Sequence, residues 1–272
     1  MSQHTSTKRL TIPALMKMKG VNPIVALTAY TTPQAEILDA YAEMLLVGDS
    51  LGMVLYGMES TLPVTLEDMI RHGTAVVRGS HHACVIVDMP YGSYQQSPAD
   101  AFANAAQILK RTGAQGVKLE GGMEMAETVR FLCERAIPVI AHIGLKPQYV
   151  HQMGGYRVQG RNDAARALMH EEAHAFEQAG AFALLLEGVE AELAASITAQ
   201  ANIPTIGIGA GVGCDGQILV TEDMMGMHET TPSFVRQFGK LREVMHHAAS
   251  AYRDAVKQRT FPDDAHSFQT KK

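Results

Sequence analysis

Four apolar runs in this chain end in an acid: Leu45-Leu46-Val47-Gly48-Asp49, Val85-Ile86-Val87-Asp88, Gly116-Val117-Lys118-Leu119-Glu120 and Leu184-Leu185-Leu186-Glu187. A fifth run, Pro138-Val139-Ile140-Ala141, enters His142. Each pattern reads as a buried strand leaving the core through a polar turn. Singly, each polar residue has an ordinary role. Asp49 could form a turn, Asp88 could brace the turn before Pro90, and His142 could be a satisfied core histidine. Their repetition at successive strand ends is harder to explain by stability alone. Carboxylates that converge without cysteines or paired histidines favour a hard, oxygen-seeking cation such as Mg²⁺. Asp49, Asp88 and Glu120 follow the second, third and fourth strands, close enough to share one ion.

Lys118 precedes Glu120 by two residues, so strand alternation turns both to the same side, the inside of a barrel. Three roles are open to it: a structural ion-pair partner, an anchor for an anionic substrate, or a Schiff-base nucleophile. Nearby carboxylates favour the charged amine, which ranks the anchor above the Schiff base. Glu187 stands apart from the other acids, and partial burial after its apolar run raises its pKa toward a range useful for proton transfer. The set is suited to proton abstraction beside a carbonyl. A cation polarises the carbonyl and a separate base removes the proton.

The elements that must position these residues alternate along the chain. Strands are predicted over residues 23–30, 44–47, 84–88, 116–119, 138–141, 182–186, 204–208 and, as a short eighth, 218–220. Helical patterns lie between them. Thr32-Pro33 and Ser97-Pro98 have the look of a helix start, Glu67 and Asp68 suit a first turn near Thr65, and Gly113 suits a helix end. The strands are continuous apolar runs, which marks parallel strands covered by helices. Eight of them in 272 residues favour a closed (β/α)₈ TIM barrel. A short helix within residues 10–19 precedes the barrel, and spacing from Pro232 through Phe234, Phe238, Leu241, Met245 and Tyr252 predicts one long terminal helix. A single barrel domain is expected over residues 1–272, with polar tails at 1–9 and about 259–272. The segment between His142 and Arg161 is long for a loop in a compact domain, and such loops are usually functional.

Composition narrows the class. The formal net charge is −5 and Lys and Arg form no block, so nucleic acid is not an expected partner. Three cysteines, Cys84, Cys133 and Cys214, show no close pairing, which argues against a disulfide framework and favours a reduced, cytoplasmic setting. No stretch is apolar enough to cross a bilayer, and the polar start lacks a signal core, so no membrane association is expected. Gly207-Ile208-Gly209-Ala210-Gly211 resembles a phosphate loop, but no Lys-Ser/Thr follows and it is not at the first strand. A tight turn is the better reading. The methionines, such as Met53, Met58, Met123 and Met125, read as core or gap-filling residues.

Several motifs in order carry a family resemblance: Gly48-Asp49-Ser50, Thr61-Leu62-Pro63-Val64-Thr65, Val117-Lys118-Leu119-Glu120-Gly121-Gly122, Gly154-Gly155-Tyr156-Arg157-Val158-Gln159-Gly160-Arg161, and Gly207 to Gly211 followed by Asp215-Gly216-Gln217. Together they resemble the 3-methyl-2-oxobutanoate (ketopantoate) hydroxymethyltransferase family, of the phosphoenolpyruvate mutase/isocitrate lyase type. The likeness runs from about Leu10 to Phe268, and the Gly154–Arg161 run is its most specific part. It implies a cytoplasmic enzyme that moves a hydroxymethyl unit from 5,10-methylenetetrahydrofolate to 3-methyl-2-oxobutanoate, giving 2-dehydropantoate for pantothenate and coenzyme A synthesis. Position by position, it implies Asp49, Asp88 and Glu120 as ligands of one Mg²⁺ per subunit. It implies Asp49, Ser50, Asp88 and Lys118 as substrate contacts and Glu187 as proton acceptor. It also implies a large homo-oligomer, a decamer. Thr31 stands where the family commonly has aspartate, and Gly188-Val189-Glu190 where it commonly has an apolar residue, valine and proline. The alternative within the same barrel is another Mg²⁺-dependent 2-oxo-acid C–C lyase or mutase.

Overall fold

The computed structural model describes residues 9–268. Eight parallel strands close into a barrel in sequence order: β1 (Ile24–Thr28), β2 (Met44–Val47), β3 (Cys84–Asp88), β4 (Gly116–Glu120), β5 (Val139–Gly144), β6 (Ala183–Glu187), β7 (Thr205–Ile208) and β8 (Gly216–Leu219). The ring is sealed where Ile24 of β1 pairs with Gly216 of β8. Helices α1 (Ile12–Met16), α2 (Thr32–Leu38), α3 (Leu51–Val54), α4 (Leu66–Gly79), α5 (Pro98–Thr112), α6 (Ala126–Cys133), α7 (Val150–Met153), α8 (Asp163–Gln178) and α9 (Ala191–Gln200) accompany the strands. The expected TIM-type barrel is therefore the observed fold.

Strand alternation divides the apolar residues into two cores. Ala26, Met44, Leu46, Cys84, Ile86, Ile140, Ala183, Leu185, Ile206 and Ile218 fill the barrel interior, and Leu15 of α1 joins them. Residues of the opposite parity, such as Leu45, Val47, Val85, Val87, Val117, Leu119, Ala141, Leu184 and Leu186, pack outward beneath the helices. Because the side-chain period is two, Asp88, Lys118, Glu120, His142 and Glu187 share the interior parity and continue its layers toward the C-terminal ends of the strands. One end of the barrel is filled with aliphatic side chains and the other with charge.

Local signals fix the surrounding helices. The Thr65 and Asp68 side chains form a reciprocal capping box at the start of α4. Such caps stabilise a helix by about 1 kcal/mol. The Ser97 hydroxyl accepts from the Asp100 N–H at the start of α5, Pro98 follows it, and Gly113 ends the helix at φ +79°. Gly209 and Gly211 turn the chain after β7 with φ of +59° and +77°, and the Gln217 amide donates to the Gly211 carbonyl at 2.9 Å. The glycine-rich run is thus a turn, as expected.

Two compact units divide at Val220/Thr221. The second contains α10 (Thr221–Met224) and α11 (Leu241–Lys257). The terminal helix therefore starts nine residues later than Pro232, where its spacing predicts. Residues 232–240 instead fold back on α10: the N–H groups of Phe238 and Leu241 donate to the carbonyls of Met224 and Met225, each at 2.8 Å. Gly239 and Lys240, the latter at φ −134° and ψ 52° and so outside helical geometry, lie just before α11.

Candidate active site

The charged end of the barrel interior is built by consecutive strands in register. Asp88 lies beside Lys118, Glu120 beside His142, and Gly144 beside Glu187. Asp49 leaves β2 through Gly48 just before α3, and its backbone N–H donates to Asp88 Oδ2 at 3.0 Å. Lys118 Nζ sits 3.3 Å from Asp88 Oδ1, 3.7 Å from Glu120 Oε1 and 3.3 Å from His142 Nδ1. His142 Nδ1 also lies 3.5 Å from Glu120 Oε1, and its Nε2 faces Glu187 Oε2 at 3.5 Å. The residues singled out in sequence, Asp49, Asp88, Lys118, Glu120, His142 and Glu187, are brought to one place. Ser50 joins them at the rim, half-buried, with its hydroxyl 2.9 Å from that of Tyr30.

Three residues of this site carry no sequence signal of their own. Gln148, in a short 3₁₀ turn after β5, donates its side-chain amide to Asp49 Oδ2 at 2.8 Å and to the Met89 carbonyl at 3.0 Å. Its backbone N–H donates to Glu120 Oε2 at 3.0 Å. Buried Tyr94 donates to Gln148 Oε1 at 2.6 Å and accepts the Glu120 N–H at 3.1 Å. Tyr30 supports Ser50. Gln148 lies in the long segment whose length alone marks it as functional, but no residue spacing distinguishes it there.

Charge is tightly confined. Asp49, Asp88, Lys118, Glu120 and His142 each expose 4% or less of their surface. Burial, then the charges of Asp88 and Glu120, push the Asp49 carboxyl up to about 8. Burial likewise lifts Asp88 to about 6, against the pull of Lys118. Burial opposes the Lys118 charge, but Asp88, Glu120 and Asp49 outweigh it and raise the pKa, so the amine stays an ammonium. Burial also works against Glu120, while His142, Lys118 and the Gln148 N–H hold it below its ordinary value. Burial and Lys118 lower His142, which keeps the imidazole neutral. Glu187, with 19% of its side chain exposed, is pushed up to about 8 by burial and by Glu120. It is the most exposed acid of the set.

The donor set suits a divalent cation chemically. Its acids are oxygen donors, and the burial, with neighbouring like charge, that raises Asp49 and Asp88 disfavours the ionised forms that a dication would stabilise. Asp88 Oδ1 and Glu120 Oε1 are buried without a hydrogen-bond partner. Among the described residues, no three His, Cys, Asp or Glu side chains stand together in metal-holding geometry. Gln148 holds Asp49 and Glu120 by hydrogen bonds, and Lys118 faces Asp88.

Comparison with known proteins bears on the chain as a whole. A family model described as ketopantoate hydroxymethyltransferase matches residues 9–264. The 3-methyl-2-oxobutanoate hydroxymethyltransferase of Rhizobium rhizogenes is 57% identical, with all of both chains covered. That of Brucella canis is 56% identical, covering 100% of this chain and 99% of the relative. Among solved structures, 2,3-dimethylmalate lyase, a PEP mutase/isocitrate lyase superfamily member, superposes with a TM-score of 0.58 at 16% identity, covering 94% of this chain and 91% of that one. That likeness concerns the fold. The sequence match spans the whole barrel and all the strand ends that carry its charge, and on it the chain belongs to the ketopantoate hydroxymethyltransferase family.

Proposed function

We propose that this protein transfers a hydroxymethyl group from 5,10-methylenetetrahydrofolate to 3-methyl-2-oxobutanoate, producing 2-dehydropantoate, with Glu187 as the base. The observation that carries the reading is the pairing of a buried ammonium with a separate, partly exposed carboxyl of raised proton affinity. Lys118, held charged by Asp88 and Glu120, is the anchor for the anionic end of the 2-oxo acid, and Ser50, supported by Tyr30, is its hydroxyl partner. Asp49 and Asp88 border the same substrate. Glu187 removes the proton from the branched carbon beside the ketone. A carboxylate with pKa about 8 is a stronger base than one in water, because burial makes its ionised form less stable.

Asp49, Asp88 and Glu120 are the proposed holders of one Mg²⁺. When bound, the cation supplies Lewis acidity toward the ketone oxygen and compensates charge developing there. The nucleophilic carbon left by deprotonation forms a bond to the methylene carbon of the donor. The two donor C–N bonds break, water supplies the hydroxyl oxygen, and tetrahydrofolate departs. Its two nitrogens take up the proton removed from the oxo acid and the one released by water. The same reading carries a cytoplasmic homo-oligomer, decameric by resemblance, which light scattering would size.

Proton exchange tests the base independently of the donor. In D₂O with Mg²⁺ but no folate, the wild-type protein should exchange the methine proton of 3-methyl-2-oxobutanoate, read by proton NMR. Glu187→Gln should slow that exchange by about 10²- to 10⁴-fold, the usual contribution of a positioned base. Exchange at the wild-type rate in the variant would remove Glu187 from this role.

A further inference from the structure

Beside the charged ring lies a cavity of about 310 Å³. Its walls come from the turn after β4, the end of β5 and the segment beyond it, and α8. Glu124, Lys146, Tyr149, Met153, Leu168 and Glu172 give it its character. Glu172 is 8% exposed. Among the described residues its carboxylate has no hydrogen bond and no ion pair within 4 Å; it opens onto this space, with the Lys146 charge acting on it from nearby. Such a residue marks where a donor from outside belongs.

Two carboxylates converge there. Glu172 Oε1 lies 2.4 Å, and Glu124 Oε2 2.8 Å, from where a Cβ on Gly122 would stand. Any side chain at Gly122 would fill the space the two acids use. The other oxygen of Glu124 is already engaged, accepting from the Gly122 N–H at 2.9 Å and from the Tyr149 hydroxyl at 3.4 Å. Glu124 Oε2 and the Glu172 carboxylate therefore face the cavity as acceptors that no protein N–H among the described residues occupies. Met153 and Leu168 give an apolar wall, and Lys146 stands 4.8 Å over the Tyr149 ring, a cation at one side. The cavity adjoins the proposed base through the backbone. Gly144, which lines it, pairs in register with Glu187, and the N–H of Gln159, another lining residue, donates to the Gly188 carbonyl at 2.8 Å.

The chemistry required is a flat, apolar-faced ring with adjacent N–H donors on one edge and an anionic extension. A volume of about 300 Å³ is at the small end of ligand sites and suits a bicyclic ring rather than a whole folate. We propose that this cavity receives the pterin end of the reduced folate donor, with Glu172 accepting from its 2-amino group and ring N–H and Lys146 facing its anionic tail. This assignment rests on the hydroxymethyl-transfer reading above and adds to it the place where the one-carbon carrier binds.

The test compares two reactions in the same Mg²⁺-loaded protein. Glu172→Gln should raise the KM for 5,10-methylenetetrahydrofolate roughly 10- to 100-fold, the loss expected for a charged hydrogen-bond pair. The KM for 3-methyl-2-oxobutanoate and the folate-independent proton exchange should remain within about twofold of wild type. Leu168→Arg, at a half-exposed lining position that tolerates substitution without core damage, should produce the same split by crowding the cavity. Tetrahydropterin without its tail should inhibit transfer competitively with folate in the wild type, and at least tenfold more weakly in Glu172→Gln. A folate KM unchanged in both variants overturns the assignment. So does proton exchange that falls in parallel with transfer, since the cavity would then serve the oxo acid. A wild-type protein that catalyses neither exchange nor transfer defeats the functional reading itself.

Discussion

The excess of buried acid makes the metal-free protein sensitive to alkaline pH. Asp49 rises to about 8 and Asp88 to about 6, so both bind protons more tightly when the chain is folded than when it is not. The stability this contributes is complete below their unfolded pKa, about 4, and is lost as pH rises through about 6 and then about 8. A tenfold gain in proton affinity on folding corresponds to about 1.4 kcal/mol. Glu187, also pushed up to about 8, adds a loss of the same sign. Summing the acids independently would overcount, because Asp49 is raised partly by Asp88, so a loss of at least about 3–5 kcal/mol between pH 5.5 and 8.5 is the expected scale. For a domain of this size that lowers the melting temperature by on the order of 10 °C. Lys118 and Glu120 do not cancel it. The ammonium's pKa is raised from a value already above this window, and the contribution of Glu120, whose pKa is lowered, is lost only toward acid. A bound dication reverses the slope: it needs the ionised carboxylates, so its stabilisation should grow with pH. Thermal denaturation of chelator-treated and Mg²⁺-saturated protein at pH 5.5, 7.0 and 8.5 would measure both curves. A metal-free melting temperature that stays flat or rises across that range would refute the reasoning, as would a Mg²⁺ increment that does not grow.

Three further substitutions probe separate parts of the site. Gln148→Leu removes the amide that holds Asp49 while the backbone N–H to Glu120 remains. Mg²⁺ affinity by calorimetry should fall about 10- to 100-fold, and an unchanged affinity would make Gln148 a packing residue only. Lys118→Met leaves Asp88 and Glu120 facing no ammonium. Removing one partner of a buried pair costs about 3–5 kcal/mol, so urea denaturation should show a loss of that size at pH 8 and a smaller one at pH 5.5, where the acids can protonate; equal losses at both would contradict the ion-pair account. Gly144→Ala tests backbone approach. Gly144 has φ +94°, and a Cβ there would stand 2.4 Å from the Glu187 carbonyl, so proton exchange should fall while Mg²⁺ affinity is retained; wild-type exchange would show that the strand end has room to move.

The acids of the site are legible because they are local events. Asp88, Glu120 and Glu187 each terminate an apolar run, and period-two alternation then turns them, together with Lys118 and His142, into one barrel interior. The partners that hold those acids are not local. Gln148 bonds Asp49 across 99 positions, and Tyr94 bonds Gln148 across 54, so only the closed barrel brings them together. Glu172 is obscured for a different reason. It lies within an ordinary amphipathic helix, where an acid reads as solvated surface, and its burial depends on the turn at Gly122 packing over it. The late start of α11 is likewise invisible to spacing, because the apolar residues from Pro232 keep a helical period while the backbone of 232–240 makes its hydrogen bonds to α10 instead.

The contrast between the two ends of the barrel interior bears on why the charge is there at all. One end is packed with Ala26, Met44, Ile140, Ile206, Ile218 and Leu15, which is how a barrel of this size is stabilised. Aliphatic side chains of similar volume at Asp88, Lys118 and Glu120 would remove the desolvation cost of three buried charges, and replacements of that kind are often neutral or stabilising by about 1–4 kcal/mol. The fold therefore has no need of these residues for its own stability. Lys118 faces Asp88 and Glu120 directly, Asp49 and Asp88 retain protons well above the usual carboxylate range, and Glu187 faces the imidazole of His142. The imbalance can be relieved by protonation or by a cation from solution. That choice places metal binding and folding stability on the same carboxylates, so a variant that repacks the charged layer with aliphatic groups should gain stability at alkaline pH and lose exchange chemistry together.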